Sequence, residues 1–138
     1  MSEAKPDARP AARPISPHLQ VWRWHITMAT SILHRATGVA LYGGALLLAL
    51  WAACLAAGPG PFELYRAVLG SIPGKLALIA LTFSIFFHMA NGVRHLVWDS
   101  GHGFEPKVAD QSGTAVIAFA VVLTVLVWAD LFLMGGAS

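Results

Sequence analysis

Apolar residues crowd into three stretches of this chain, about Thr30 to Ala57, about Leu76 to Trp98 and about Gly113 to Met134. Crossing a hydrocarbon layer of about 30 Å takes about 20 helical residues, and each stretch is long enough. The pattern predicts an all-α integral membrane protein with three transmembrane helices at about 30–57, 75–99 and 113–134, preceded by a tail and interfacial segment at 1–29. Gly58-Pro-Gly-Pro61 stops the first helix and Pro73-Gly74 opens the second, with Phe62 to Leu69 between them as a short interfacial turn of helix. Met1 to Arg13 is too polar and proline-rich to offset the entropy of ordering and reads as a mobile tail. Arg13 to His25 follows with prolines that break helix and with Trp22 and Trp24, which suit the headgroup zone.

Polar positions inside the runs are few and aligned. Ser84, His88, Asn91, His95 and Asp99 follow steps of 4, 3, 4 and 4, which at about 100° per residue keeps them on one stripe of the second helix. A polar seam on an apolar rod faces protein, cofactor or water rather than acyl chains. At 1.5 Å per residue His88 lies about 16 Å from Asp99, deeper than headgroup water reaches. It reads as an axial ligand to haem iron, the alternative being an interhelical hydrogen bond without metal; His95, on the same stripe, is the rival ligand. On the first helix Ser31, His34, Arg35, Gly38 and Tyr42 share a face, with Gly38, Ala45 and Ala49 leaving room for a helix or a flat ring to approach. Counted from the helix end, His34 is expected about 5 to 10 Å deep, so His88 lies further in by an offset of the order of a porphyrin's size. The third helix, with Thr124 and Asp130 as its polar exceptions, reads as packing.

Charge and composition agree with the membrane reading. Only 12% of the 138 residues are charged, against about 25% in soluble domains. Lys5, Arg9, Arg13, Arg23 and Arg35 belong to the N-terminal side, which Arg94 and Lys107 share, while only Arg66 and Lys75 fall at the first connection. The positive-inside rule then puts the N-terminus on the cytoplasmic or matrix side, and the net charge of +2 is a topological signal rather than a nucleic-acid one. The first thirty residues carry four prolines and four basic residues but no apolar core, so no cleavable signal is expected. With one cysteine, Cys54, the chain holds no internal disulfide, four-cysteine zinc site or iron–sulfur cluster. No glycine-rich dinucleotide fingerprint is present either, so any flavin or cluster belongs to another polypeptide.

Three motifs, Arg13-Pro-x-Ser-Pro-His18, Ser31-Ile-Leu-His-Arg-Ala-Thr-Gly38 and His88-x-x-Asn-Gly-Val-Arg-His-Leu-x-Trp-Asp-x-Gly101, carry a resemblance. In order and spacing they are similar to the cytochrome b556 membrane-anchor subunits of succinate dehydrogenase, respiratory complex II, in their mitochondrial and alphaproteobacterial branch. The resemblance implies a heterodimeric helical anchor, shared with a second membrane-anchor subunit, in a bacterial or mitochondrial inner membrane. It makes His88 the haem b ligand, with the other axial histidine from that second anchor subunit, and places His34 near the haem propionates. It has Ser31 and Arg35 hydrogen-bond ubiquinone, Arg35 serving both ligands, with Trp24 and Met28 lining the quinone pocket and Asp99 delivering protons. Flavin would lie in a flavoprotein subunit and the clusters in an iron–sulfur subunit.

The residue types suit that chemistry. Quinone reduction takes two electrons and two protons, so the site needs donors for a developing oxyanion and a route to water. Ser31 and Arg35 are donors, and Asp99 sits at the aqueous edge; a neutral imidazole suits iron if its other nitrogen finds an acceptor. Duller readings stand beside these: Ser31 as a helix cap, Arg35 snorkelling to phosphate, Asp99 and Asp130 as interfacial carboxylates, His18, His25 and His102 as surface residues, and Arg94 docking a hydrophilic subunit or phospholipid. As whole-protein alternatives there remain the anchor of a quinol:fumarate reductase, a haem-free scaffold, and a small transporter.

Overall fold

The computed structural model describes residues 23–135. The tail, most of the interfacial segment, His18 and Trp22 lie outside the described residues. Four helices follow one another: α1 (Ile26–Ala57), α2 (Pro59–Gly70), α3 (Ile72–Asp99) and α4 (Pro106–Gly135). Three of them, α1, α3 and α4, are long and apolar enough to cross a membrane. At 1.5 Å per residue each is more than about 40 Å long, so both ends project beyond a hydrocarbon layer of about 30 Å.

Helix ends differ from the expected bounds for one reason: hydropathy marks where lipid begins, whereas backbone chemistry marks where a helix begins. Helix α1 starts at Ile26, directly after an extended His25. Ser31 therefore sits in the second turn and cannot cap the helix. Helix α4 starts at Pro106 rather than near Gly113, with proline in the first turn, where its missing N–H costs nothing. The expected interfacial turn is the twelve-residue α2, which has prolines at its start and follows Gly58, whose φ of 106° reverses the chain out of α1. Ser71 opens α3, its Oγ accepting from the Gly74 N–H. Gly74 is buried where a Cβ would run into the Val68 carbonyl, so the α2–α3 corner closes tightly only around glycine.

Helix α3 packs on α1 and α4, which also touch each other, and α2 lies across the far end against α1 and α3. The core is small: Phe87, Val116 and Ala120, with Leu33, Phe83, Phe86, Ala90 and Ile117 around it. Buried polar residues outnumber it, namely Thr30, Thr37, Ser84, Asn91, Arg94 and Thr124, while leucines and valines such as Val39, Leu48, Leu96 and Leu133 point outward. That inside-out distribution suits lipid as solvent, where apolar surface gains nothing by being hidden and polar groups must find partners in the protein. Threonine and serine hydroxyls find theirs within their own helices: Thr37 donates to the Leu33 carbonyl, Thr124 to Ala120 and Ser84 to Ala80.

Candidate functional site

Three histidines line the seam between α1 and α3. The rings of His34 and His88 stack face to face, with centroids 4.0 Å apart and planes 9° from parallel, and His95 follows at 5.1 Å from His34. His88 and His95 are seven residues apart on α3, about 10 Å of helix, and His34 lies between them. The depth offset of His34 from His88 is therefore no more than the 4.0 Å of the stack, smaller than expected because α1 begins earlier than its hydropathy implies. Gly38 permits the approach, since a Cβ there would stand 3.2 Å from His88 Cε1.

Hydrogen bonds decide how His88 can act. Its Nδ1 lies 3.1 Å from the His34 carbonyl and 3.3 Å from Thr37 Oγ1. A carbonyl only accepts, and the Thr37 proton is committed to Leu33 O at 2.7 Å, so Nδ1 carries the hydrogen and donates to both. In a neutral imidazole Nε2 is then a bare lone pair, and it makes no hydrogen bond among the described residues. This is the geometry of a histidine prepared to ligate a metal, its orientation set by a backbone acceptor. Among the described residues no three His, Cys, Asp or Glu side chains converge to hold a bare metal ion, so a metal on His88 would take its remaining ligands from outside the described residues. His34 Nδ1 is buried with no hydrogen-bond partner, an expense that a group from outside the chain would remove.

His95 is less suited to ligation. Asn91 Nδ2 lies 3.4 Å from His95 Nε2 and can only donate to it, which occupies that lone pair. Asn91 is itself fully buried. Next to it is Arg94, expected to reach a hydrophilic subunit or phospholipid but turned inward here, where it is 6% exposed and bonded within the chain. It donates through Nε to Ser112 Oγ (2.9 Å), through Nη2 to the Ala109 carbonyl (2.8 Å) and through Nη1 to Thr30 Oγ1 and Asn91 Oδ1 (each 3.4 Å). Its guanidinium also lies 4.0 Å from the Trp98 ring centre. Sequence reasoning misses this because Ala109 and Ser112 precede the third apolar run. The available signal is a proline at 106 able to start a helix ahead of the lipid.

Ser31, Arg35 and Met28 come together on the outer face of α1, where with Thr27 and Ile32 they line an open groove of about 290 Å³. Arg35 donates through Nη2 to Ser31 Oγ at 3.1 Å and through Nε to Ser31 O at 3.3 Å. Ser31 Oγ is thus an acceptor toward Arg35 and keeps its own proton to donate outward. Trp24, expected to line the quinone pocket, is exposed ahead of α1 and does not line this groove. Asp99 ends α3 on the surface, likewise outside the groove, and Asp130 is exposed near the end of α4. His102 lies in the turn after α3, its Nδ1 3.2 Å from Ser100 Oγ.

Residues 9–127 match the protein family described as succinate dehydrogenase/fumarate reductase transmembrane subunit. The chain belongs to that family. Among its relatives, the succinate dehydrogenase cytochrome b556 subunit of Paracoccus denitrificans is 39% identical over 120 residues, 87% of this chain and 92% of the relative. The protein of the same name from Rickettsia felis is 36% identical over 116 residues, 84% and 90% of the two chains. The human mitochondrial cytochrome b560 subunit is 43% identical over 119 residues, 83% of this chain and 66% of its own length. The matched region of this succinate dehydrogenase/fumarate reductase transmembrane subunit includes the histidine row, the Arg94 network and the Ser31–Arg35 groove.

Proposed function

We propose that this chain is the cytochrome b membrane anchor of a succinate:ubiquinone oxidoreductase. In that reading it holds one haem b through His88, together with a second membrane-anchor subunit, and contributes Ser31, Arg35 and Met28 to the ubiquinone site. The observation that carries it is the His88 ring, whose Nδ1–H is fixed by the His34 carbonyl so that Nε2 is left unprotonated on a membrane helix. When bound, the haem supplies a one-electron iron couple. His88 would hold the iron, His34 would offer its unpartnered Nδ1 to an acidic side arm, and Gly38 keeps the seam narrow enough for the His34–His88 stack.

For the quinone, the chain's residues bind, orient and polarise. Arg35 is held against Ser31, and the Ser31 hydroxyl is turned to donate to a quinone carbonyl as negative charge develops there. Thr27, Met28 and Ile32 wall the same groove. Asp99, exposed at the end of α3, passes protons from bulk water toward the reduced quinone. By the positive-inside rule these groups, with the N-terminus, face the cytoplasmic or matrix side of an inner membrane. Succinate chemistry would remain in the flavoprotein and iron–sulfur subunits, which would hold the flavin and the clusters.

A pyridine haemochromogen spectrum of the purified complex tests the ligand. Wild type should show haem b and His88→Ala none, while both co-purify with flavin- and cluster-containing polypeptides. Haem b unchanged in His88→Ala would end the ligand reading, and failure to bring down those polypeptides would end the subunit reading.

A further inference from the structure

The Arg94 network takes no part in the chemistry described so far, yet it runs from α4 to the histidine row. Among the described residues every hydrogen-bond acceptor it uses is neutral, with Asp110 near enough for electrostatic attraction only. Joining α3 to α4 does not by itself call for an arginine, because well-packed apolar side chains commonly replace buried charge at no loss of stability. What an apolar residue lacks is direction. A guanidinium only donates, so Asn91 must turn Oδ1 toward Arg94 and Nδ2 toward His95, and His95 must then present an unprotonated Nε2. The His95 ring, also in edge contact with Trp98 at 5.0 Å, is thereby fixed in both position and plane. It lies against His34, which makes no side-chain hydrogen bond among the described residues and is held by its ring contacts, 5.1 Å to His95 and 4.0 Å to His88.

We propose that Arg94 is a positioning residue for the His88 site: anchored on α4, it orients Asn91, and Asn91 fixes the His95 ring on which the His34–His88 stack rests. This rests on the reading of His88 as the haem ligand. A network serving only to join α3 to α4 would affect assembly and nothing at the iron.

The test uses the intact complex and the low-spin electron paramagnetic resonance signal of its ferric haem. Asn91→Asp is isosteric and still accepts from Arg94, but it cannot donate to His95 Nε2. His95→Phe keeps a ring in place and removes the acceptor, so it carries the same readout if Asn91→Asp does not assemble. Each should shift the largest g value and lower haem retention on dilution, by less than the roughly tenfold loss of a direct outer-shell partner of the ligand. Arg94→Lys, which loses the forked donor, should shift the signal the same way. Ser112→Ala removes one tie to α4 but leaves the Ala109 carbonyl and Asn91 contacts, and should keep the wild-type signal. Unchanged spectra in both Asn91→Asp and His95→Phe overturn the proposal, as does a Ser112→Ala shift equal to theirs. Haem surviving His88→Ala is a different result, and it removes the underlying ligand reading instead.

Discussion

The two ends of this bundle are held together by different chemistry. Where α1 begins and α3 ends, side chains reach between helices: His88 to the His34 carbonyl, and Arg94 to Ser112, Ala109 and Thr30. At the α2 end single hydrogen bonds do the joining, Tyr65 Oη to the Leu47 carbonyl at 3.0 Å and Trp128 Nε1 to Thr82 at 3.3 Å, and the space between α1 and α2 is an apolar groove of about 310 Å³ lined by Leu50, Cys54 and Leu64 among others. Apart from His34 Nδ1 at the first end, buried polar side-chain atoms at both ends find partners among the described residues. Only the first does so with directional, titratable groups that keep spare valences, His88 Nε2 and His34 Nδ1. Polar networks inside a membrane stabilise little more than packing does, so their value lies in orientation, and orientation is needed where chemistry takes place.

The largest expected separation between the two ends is functional. Arg35→Ala should lower quinone reduction about 10²-fold, the scale of removing one positioned oxyanion donor, and leave succinate oxidation by an artificial dye upstream unchanged. Equal loss of both activities would make Arg35 an assembly residue. A smaller contrast lies within α1. Gly38→Ala puts a methyl 3.2 Å from His88 Cε1 and should reduce haem retention, roughly tenfold if the ligand is displaced from its outer-shell acceptor. Gly43→Ala meets nothing within 4 Å and should instead stabilise α1 by about 0.5–1 kcal/mol. Identical haem contents in these two variants would mean that the seam tolerates crowding. The smallest effect belongs to the α2 end. Tyr65→Phe should lower thermal stability by about 1 kcal/mol, one hydrogen bond, with haem content and quinone activity unaltered; a change in either would show that the two ends are coupled.

Much of the candidate site is legible along the chain, and the reasons differ by residue. His88 stands out because an imidazole among phenylalanines has no cheap explanation in lipid, and Ser31 with Arg35 because a four-residue step returns to one face. Arg94 reads as a docking residue, since an arginine close to a helix end usually reaches water; that it turns inward depends on where α4 begins. Gly38 is visible as a narrow position, but what it admits, the edge of His88, is not. The stacking of His34 on His88 escapes the sequence because depth counted along each helix carries an error of a turn or more at its start.

The chain's sequence by itself determined the solvent, the number of spans and the family, because these follow from how many apolar residues run together and from motifs at constant spacing. Only the tertiary structure decided which nitrogen of His88 is spoken for, that His34 stacks on His88 with His95 on its other side, and that a buried arginine ties α4 to them. Those depend on where two helices begin relative to each other and on hydrogen-bond direction across a seam, quantities that no one-dimensional pattern contains.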